Sequence, residues 1–159
     1  MKLFISRRNF LKAAGVTAAA SAMAAAVPQA SAGFLTGKDA AVTILYTNDV
    51  HTYIDNKSPK LTYAAIAAMK QGYVDEGKPV LLVDAGDHIQ GTAYGSMDNG
   101  ATIIELMNEA GYDIATLGNH EFDYGMARAK AIIKEADFPY VSCNWVDLRT
   151  GLKVLPSIK

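Results

Sequence analysis

An α/β fold built on a parallel sheet is predicted by three observations. Short apolar runs at residues 42–47, 80–83, 114–117 and 140–145 have the length and composition of strands covered on both faces. Segments with helical spacing separate them, so the order reads β-α-β-α-β-α-β. Each of the first three runs also ends in a group of acidic, amide or imidazole side chains. In an open parallel sheet ligands collect beyond the carboxyl ends of the strands, so three such ends would converge on one crevice.

Residues 1–32 stand apart from this pattern. Ser6, Arg7, Arg8, Asn9, Phe10, Leu11 and Lys12 precede an Ala-rich apolar run at 13–27, which ends in Ala30, Ser31 and Ala32. A basic region, an apolar region and an A-x-A site make a signal peptide. The adjacent arginines followed by Phe-Leu-Lys resemble the twin-arginine type, which implies the twin-arginine export machinery as a partner and a periplasmic or extracellular location. The apolar run is shorter than the roughly 20 residues a membrane span needs, and it is alanine rather than leucine or isoleucine.

Residues 33–41 read as a linker into the first strand, 42–47. Asp49 and His51 follow it at i, i+2, and an extended chain would turn both side chains to one side, toward a shared cation. Turn residues at 55–59 lead into a helix at 61–73 with Leu61, Ala65, Ala68 and Met69 on its core stripe. The second strand, 80–83, runs into Asp84, Gly86, Asp87 and His88. Gly86 allows a sharp turn beside Asp87, and Gly91 and Gly95 extend a permissive loop. A second helix at 102–110 places Ile103, Leu106, Met107 and Ala110 together, and Gly111 stops it. The third strand, 114–117, opens into the densest cluster, Gly118-Asn119-His120-Glu121-Phe122-Asp123. A helix at 126–136, a strand at 140–145, a turn at 147–151 and the start of another strand at 153–155 complete the pattern.

Half of the residues are hydrophobic, enough for one domain core. Removal of the signal takes Lys2, Arg7, Arg8 and Lys12 from fifteen basic residues, leaving eleven against sixteen acidic ones, a net charge of about −5. That excludes a nucleic-acid surface. Cys143, the only cysteine, excludes an internal disulfide, and in its apolar run it reads as a packed thiol.

The three strand-end groups are Tyr46-Thr47-Asn48-Asp49-Val50-His51, Gly86-Asp87-His88-Ile89-Gln90-Gly91-Thr92 and Leu117-Gly118-Asn119-His120-Glu121-Phe122-Asp123-Tyr124-Gly125. In this order and spacing they resemble the calcineurin-like metallophosphatases, and within them the 5′-nucleotidase family. The resemblance implies the N-terminal half of a four-layer α/β/β/α sandwich, with residues 42–159 as a partial metallophosphatase domain. It implies hydrolysis of nucleotides or related phosphate esters by a metal-activated water. Asp49 and His51 would ligate the first of two divalent ions, Asp87 would bridge both, and Asn119 would ligate the second. Oxygen and imidazole donors suit manganese, zinc or iron. His120 would contact the phosphoryl group, with Asp123 orienting its ring. Read from the residues alone, Asp84 and Glu121 are hydrogen-bond supports for the loops, and His88, whose side chain should point away from that of Asp87, lies behind the ligands.

The family completes its second metal with histidines from later loops, the last in a Gly-His-x-His pattern. Here the histidines are His51, His88 and His120. At most one weakly held ion is therefore expected, because the second would keep only Asp87 and Asn119. One sheet face and an edge are expected to lie open. The chain is expected to be a truncated frame, a fragment or half of a split protein, with the C-terminal half as a separate partner chain and no phosphatase activity alone. Two alternatives remain: the thiosulfohydrolase branch of the superfamily, which residues 118–123 match less well, and a non-catalytic remnant.

Overall fold

Parallel pairing in strict chain order organises the protein. A computed structural model describes residues 41–54 and 62–156. The signal segment, most of the linker, the turn at 55–59 and Leu61 lie outside the described residues. The chain divides into two units, Met1–Val42 and Thr43–Lys159, and the fold below belongs to the second. Its elements are β1 (Thr43–Thr47), α1 (Tyr63–Asp75), β2 (Val80–Asp84), α2 (Ala93–Ser96), α3 (Ala101–Ala110), β3 (Ile114–Thr116), a 3-10 turn (His120–Phe122), α4 (Met126–Glu135) and β4 (Tyr140–Val141).

The sheet order is β1-β2-β3-β4, with every pair parallel. Thr47 lies opposite Asp84, Asp84 opposite Ala115, and Ala115 opposite Tyr140, so the strands end near one level and their following loops emerge side by side. Sequential parallel strands joined by right-handed crossovers carry all their helices on one face. Burial follows that rule. Leu82, Asp84, Ala115 and Tyr140, which share the covered face, are buried with Ile103, Ile104, Met107 and Ile132. On the opposite face Ile44 is 60% exposed, Tyr46 74% and Leu81 39%. The apolar runs have the composition of strands covered on both faces, but within this chain these side chains leave one face open, as expected from the ending of the pattern after four strands. Their apolar character records what the face suits and does not itself supply a cover.

Local chemistry sets the helix ends. The Thr62 side chain accepts from the Ala65 N–H at 3.2 Å and starts α1. Tyr63 and Ile66 are its buried residues, whereas Met69 is 44% exposed, so the stripe of Ala65, Ala68 and Met69 is displaced from the one expected. Alanine at 64, 65, 67 and 68 gives little contrast between faces, and the larger Tyr63 and Ile66 take the core side. Gly111, with φ 76°, ends α3 as expected. The short α2 replaces an expected loop. Thr92 caps it by accepting from the Tyr94 N–H, and a Cβ on Gly95 would lie 2.6 Å from the Thr52 methyl.

The fourth strand is shorter than its apolar run. After Val141 the Ser142 hydroxyl accepts from the Trp145 N–H at 3.1 Å and donates to Asn144 Oδ1, which bends the chain away from the sheet. Cys143 on this bend is exposed, not packed. The turn at 147–151 forms as expected, with the Gly151 N–H on the Asp147 carbonyl at 2.7 Å. Beyond it Lys153 makes one antiparallel bridge to Val146 in place of a longer strand.

Candidate metal centre at the strand ends

The loops after β1 and β2 adopt rare backbone conformations. Asp49, His51, Thr52 and Asp87 have φ of 53°, 46°, 58° and 58°, a region that residues other than glycine seldom occupy. Bonds between the loops hold them there. The Asp49 N–H donates to the Gly86 carbonyl at 3.1 Å, and the His51 N–H to the Asp87 carbonyl at 3.0 Å. The extended geometry expected for residues 49–51 is thereby corrected, although the two side chains do meet, with Asp49 Oδ1 3.7 Å from His51 Nε2.

Each imidazole at the site has one nitrogen committed. His51 Nδ1 lies 3.0 Å from the Gln90 carbonyl, which can only accept, so Nδ1 carries the proton and Nε2 presents its lone pair. The loop after β3 tightens into the 3-10 turn, and His120 Nδ1 meets Asp123 Oδ2 at 2.7 Å, the i, i+3 contact expected from the sequence. That hydrogen bond, with the charges of Asp123, Asp87 and Glu121, holds the His120 pKa above the ordinary imidazole value. The two rings pack edge to face with centroids 5.0 Å apart.

One ligand atom from each of His51, Asp87 and His120 lies within 4.8 Å of the others, a spacing and donor set that fit a divalent cation. Asp49 stands beside His51, and its Oδ2 accepts from the Asn48 amide. Asn119 precedes the 3-10 turn without a side-chain cap bond and lines an open cavity of about 340 Å³ with Phe122, Ser142 and Trp145. His120, expected at the phosphoryl group, thus sits among the same donors as His51 and Asp87.

Beneath the site runs a buried polar chain. Asp84 accepts from the Thr47 hydroxyl at 2.6 Å, and its other oxygen accepts from the Gly86 N–H and His88 Nδ1, both at 2.8 Å. His88 Nε2 reaches the Tyr140 hydroxyl at 2.8 Å, and Thr47 reaches that of Tyr112 at 2.9 Å. Burial works against a charged His88, but the Asp84 hydrogen bond and the Glu121 and Asp84 charges outweigh it and raise its pKa. Asp84 thus supports the loop after β2, and His88 lies behind the ligands, as the sequence implies. Tyr112, Tyr140 and the Gln90 carbonyl are partners that no local sequence signal marks.

The sequence profile of the Calcineurin-like phosphoesterase family matches residues 42–157, nearly the whole described fold. The chain belongs to that family. A profile of the twin-arginine translocation pathway signal sequence matches residues 5–27. Among members of known sequence, a snake venom 5′-nucleotidase from Gloydius brevicauda is 40% identical over 65% of this chain and 19% of its own length. A 5′-nucleotidase from Bos taurus is 38% identical over 65% of this chain and 20% of its own. The chain therefore spans about a fifth of the length of the curated relatives it matches. Among solved structures, the 5′-nucleotidase precursor from Thermus thermophilus is 32% identical, with a TM-score of 0.59, covering 65% of this chain and 22% of that one. The four-stranded α/β sheet agrees with the N-terminal half of the family's fold.

Proposed function

We propose that this chain carries the strand-end part of a metal-dependent phosphoester hydrolase of the 5′-nucleotidase type, acting on nucleotides or related phosphate esters. The observation that carries this is the approach of His51, Asp87 and His120 within 4.8 Å at the ends of three parallel strands. Asp49, His51 and Asp87 would hold one divalent ion, and Asp87 and Asn119 would share a second. When bound, such an ion supplies Lewis acidity toward a phosphate oxygen and acidifies a water at neutral pH.

The protein's own groups do the rest. The Gln90 carbonyl keeps the His51 proton on Nδ1, so that Nε2 stays a donor of its lone pair. Asp123 holds the His120 ring by Nδ1 and favours its cation. A proton on Nε2 could then bond an oxygen of the phosphoryl group as negative charge develops there. The short turn from Asn119 to Asp123 thus carries both an amide oxygen and an oriented imidazole.

Residues 1–32 are proposed as the signal peptide, 33–41 as the linker and 42–159 as part of the hydrolase domain. The match to the twin-arginine signal supports export beyond the inner membrane. The exposed Ile44, Tyr46 and Leu81 support a cover over this sheet face in the working protein.

Calorimetric titration of the chain with Mn²⁺ tests the centre. One weak site is expected in the wild type, lost in His51→Ala and in Asp87→Asn. Binding that survives Asp87→Asn unchanged would remove the basis for the assignment. Phosphate release from AMP by the whole protein, compared with its His120→Ala variant, tests the chemistry.

A further inference from the structure

Glu121 is fully buried, and a carboxylate in that position is costly unless every lone pair finds a donor. Here the donors are backbone N–H groups. Oε2 accepts from Asp87 at 2.8 Å and from Gly118 at 2.6 Å. Oε1 accepts from His88 at 2.8 Å and, more distantly, from Ile89 at 3.4 Å. Asp87, His88 and Ile89 belong to the loop after β2, whereas Gly118 and Glu121 itself belong to the loop after β3.

A reciprocal bond runs the other way. Asp87 Oδ1 accepts from the His120 N–H at 2.9 Å, so each loop lends a carboxylate to the backbone of the other. Two glycines let them approach. A Cβ on Gly118 would lie 2.6 Å from Asp87 Cγ, and one on Gly86 would lie 2.8 Å from Gly118 Cα.

We propose that Glu121 is a positioning residue whose carboxylate clasps the loop after β2 to the loop after β3, and so fixes Asp87 beside His120 in the cation-binding group. This rests on the metal-dependent reading given above. The clasp needs acceptors on both oxygens. Glutamine has the same shape, but its amide nitrogen would face backbone donors with hydrogens of its own. A residue that only fills space would tolerate glutamine; a clasp does not.

The test uses the full chain with Mn²⁺ as the probe, and amide NMR with hydrogen exchange on the metal-free protein. Glu121→Gln, folded by circular dichroism, is expected to weaken Mn²⁺ binding by about 10–100-fold, as much as Glu121→Ala does. In the wild type the Asp87, His88 and Gly118 amides are expected downfield and slow to exchange, and Glu121→Gln is expected to abolish both signatures. Mn²⁺ affinity in Glu121→Gln equal to the wild type, or fast exchange of these three amides in the wild type, would overturn the clasp. Should Glu121→Gln fail to fold, the wild-type amides decide alone. A wild type that binds no Mn²⁺ would instead refute the metal-dependent reading, and slow wild-type amides would still support the clasp.

Discussion

Gly118→Ala isolates the contact on which the site's geometry turns. Gly118 has no left-handed φ to defend; it is glycine because Asp87 occupies the space a side chain would need. The added Cβ would stand 2.6 Å from Asp87 Cγ, about 0.8 Å short of ordinary contact, and 2.8 Å from the Asp87 nitrogen. The carboxylate cannot swing aside alone, since the backbone behind it is also too close. The two loops must separate, which breaks the bond from the His120 N–H to Asp87 Oδ1. Overpacking costs about 1–3 kcal/mol, and a lost hydrogen bond to a charged group about 1.5–3 kcal/mol. Together they amount to about 2.5–6 kcal/mol, or a fall in melting temperature of about 10 °C or more for a domain of this size. Thermal unfolding followed by circular dichroism reads the effect, with Mn²⁺ calorimetry beside it. A variant that melts within about 2 °C of the wild type and binds Mn²⁺ equally well would refute the packing argument.

Three further outcomes follow from the same structure. Gly72→Ala, in α1 with nothing within 4 Å of its added Cβ, should stabilise by about 0.5–1 kcal/mol, and an unchanged or lower urea midpoint would contradict this. Asp123→Asn should lower the His120 pKa, which the Asp123 hydrogen bond and charge now raise, as read from the ring proton shift in an NMR titration. A raised histidine pKa adds stability that is present in full below about pH 6.5 and is lost as pH rises through the folded value, so Asp123→Asn should flatten the pH dependence there. Paired Ile44→Thr and Tyr46→Thr should change stability by only about 0.5 kcal/mol each while reducing self-association in sedimentation, because both side chains lie on the open face. A large loss of stability would mean that the described fold itself covers them.

Much of the site was legible because its signals are local. Asp49, His51, Asp87 and His120 each follow an apolar run by a few residues, and the ends of parallel strands bring such positions together whatever the loops do between them. The bond from His120 to Asp123 needs only one helical turn, and Gly111 needs only its own φ. By contrast, Tyr140–Trp145 reads as a strand from its apolar content, yet the Ser142 hydroxyl bends it after two residues.

The sequence by itself determined the order of strands and helices, the signal segment and the residues gathered at the strand ends, since apolar spacing and short-range chemistry are written in neighbouring residues. Tertiary structure alone decided the left-handed turns at Asp49, His51 and Asp87, the four donors around Glu121, and the partners of His88. Those depend on hydrogen bonds between groups far apart in the chain, such as His88 to Tyr140, and no local pattern records them. A buried polar group must find its partner wherever the folded chain brings one within reach.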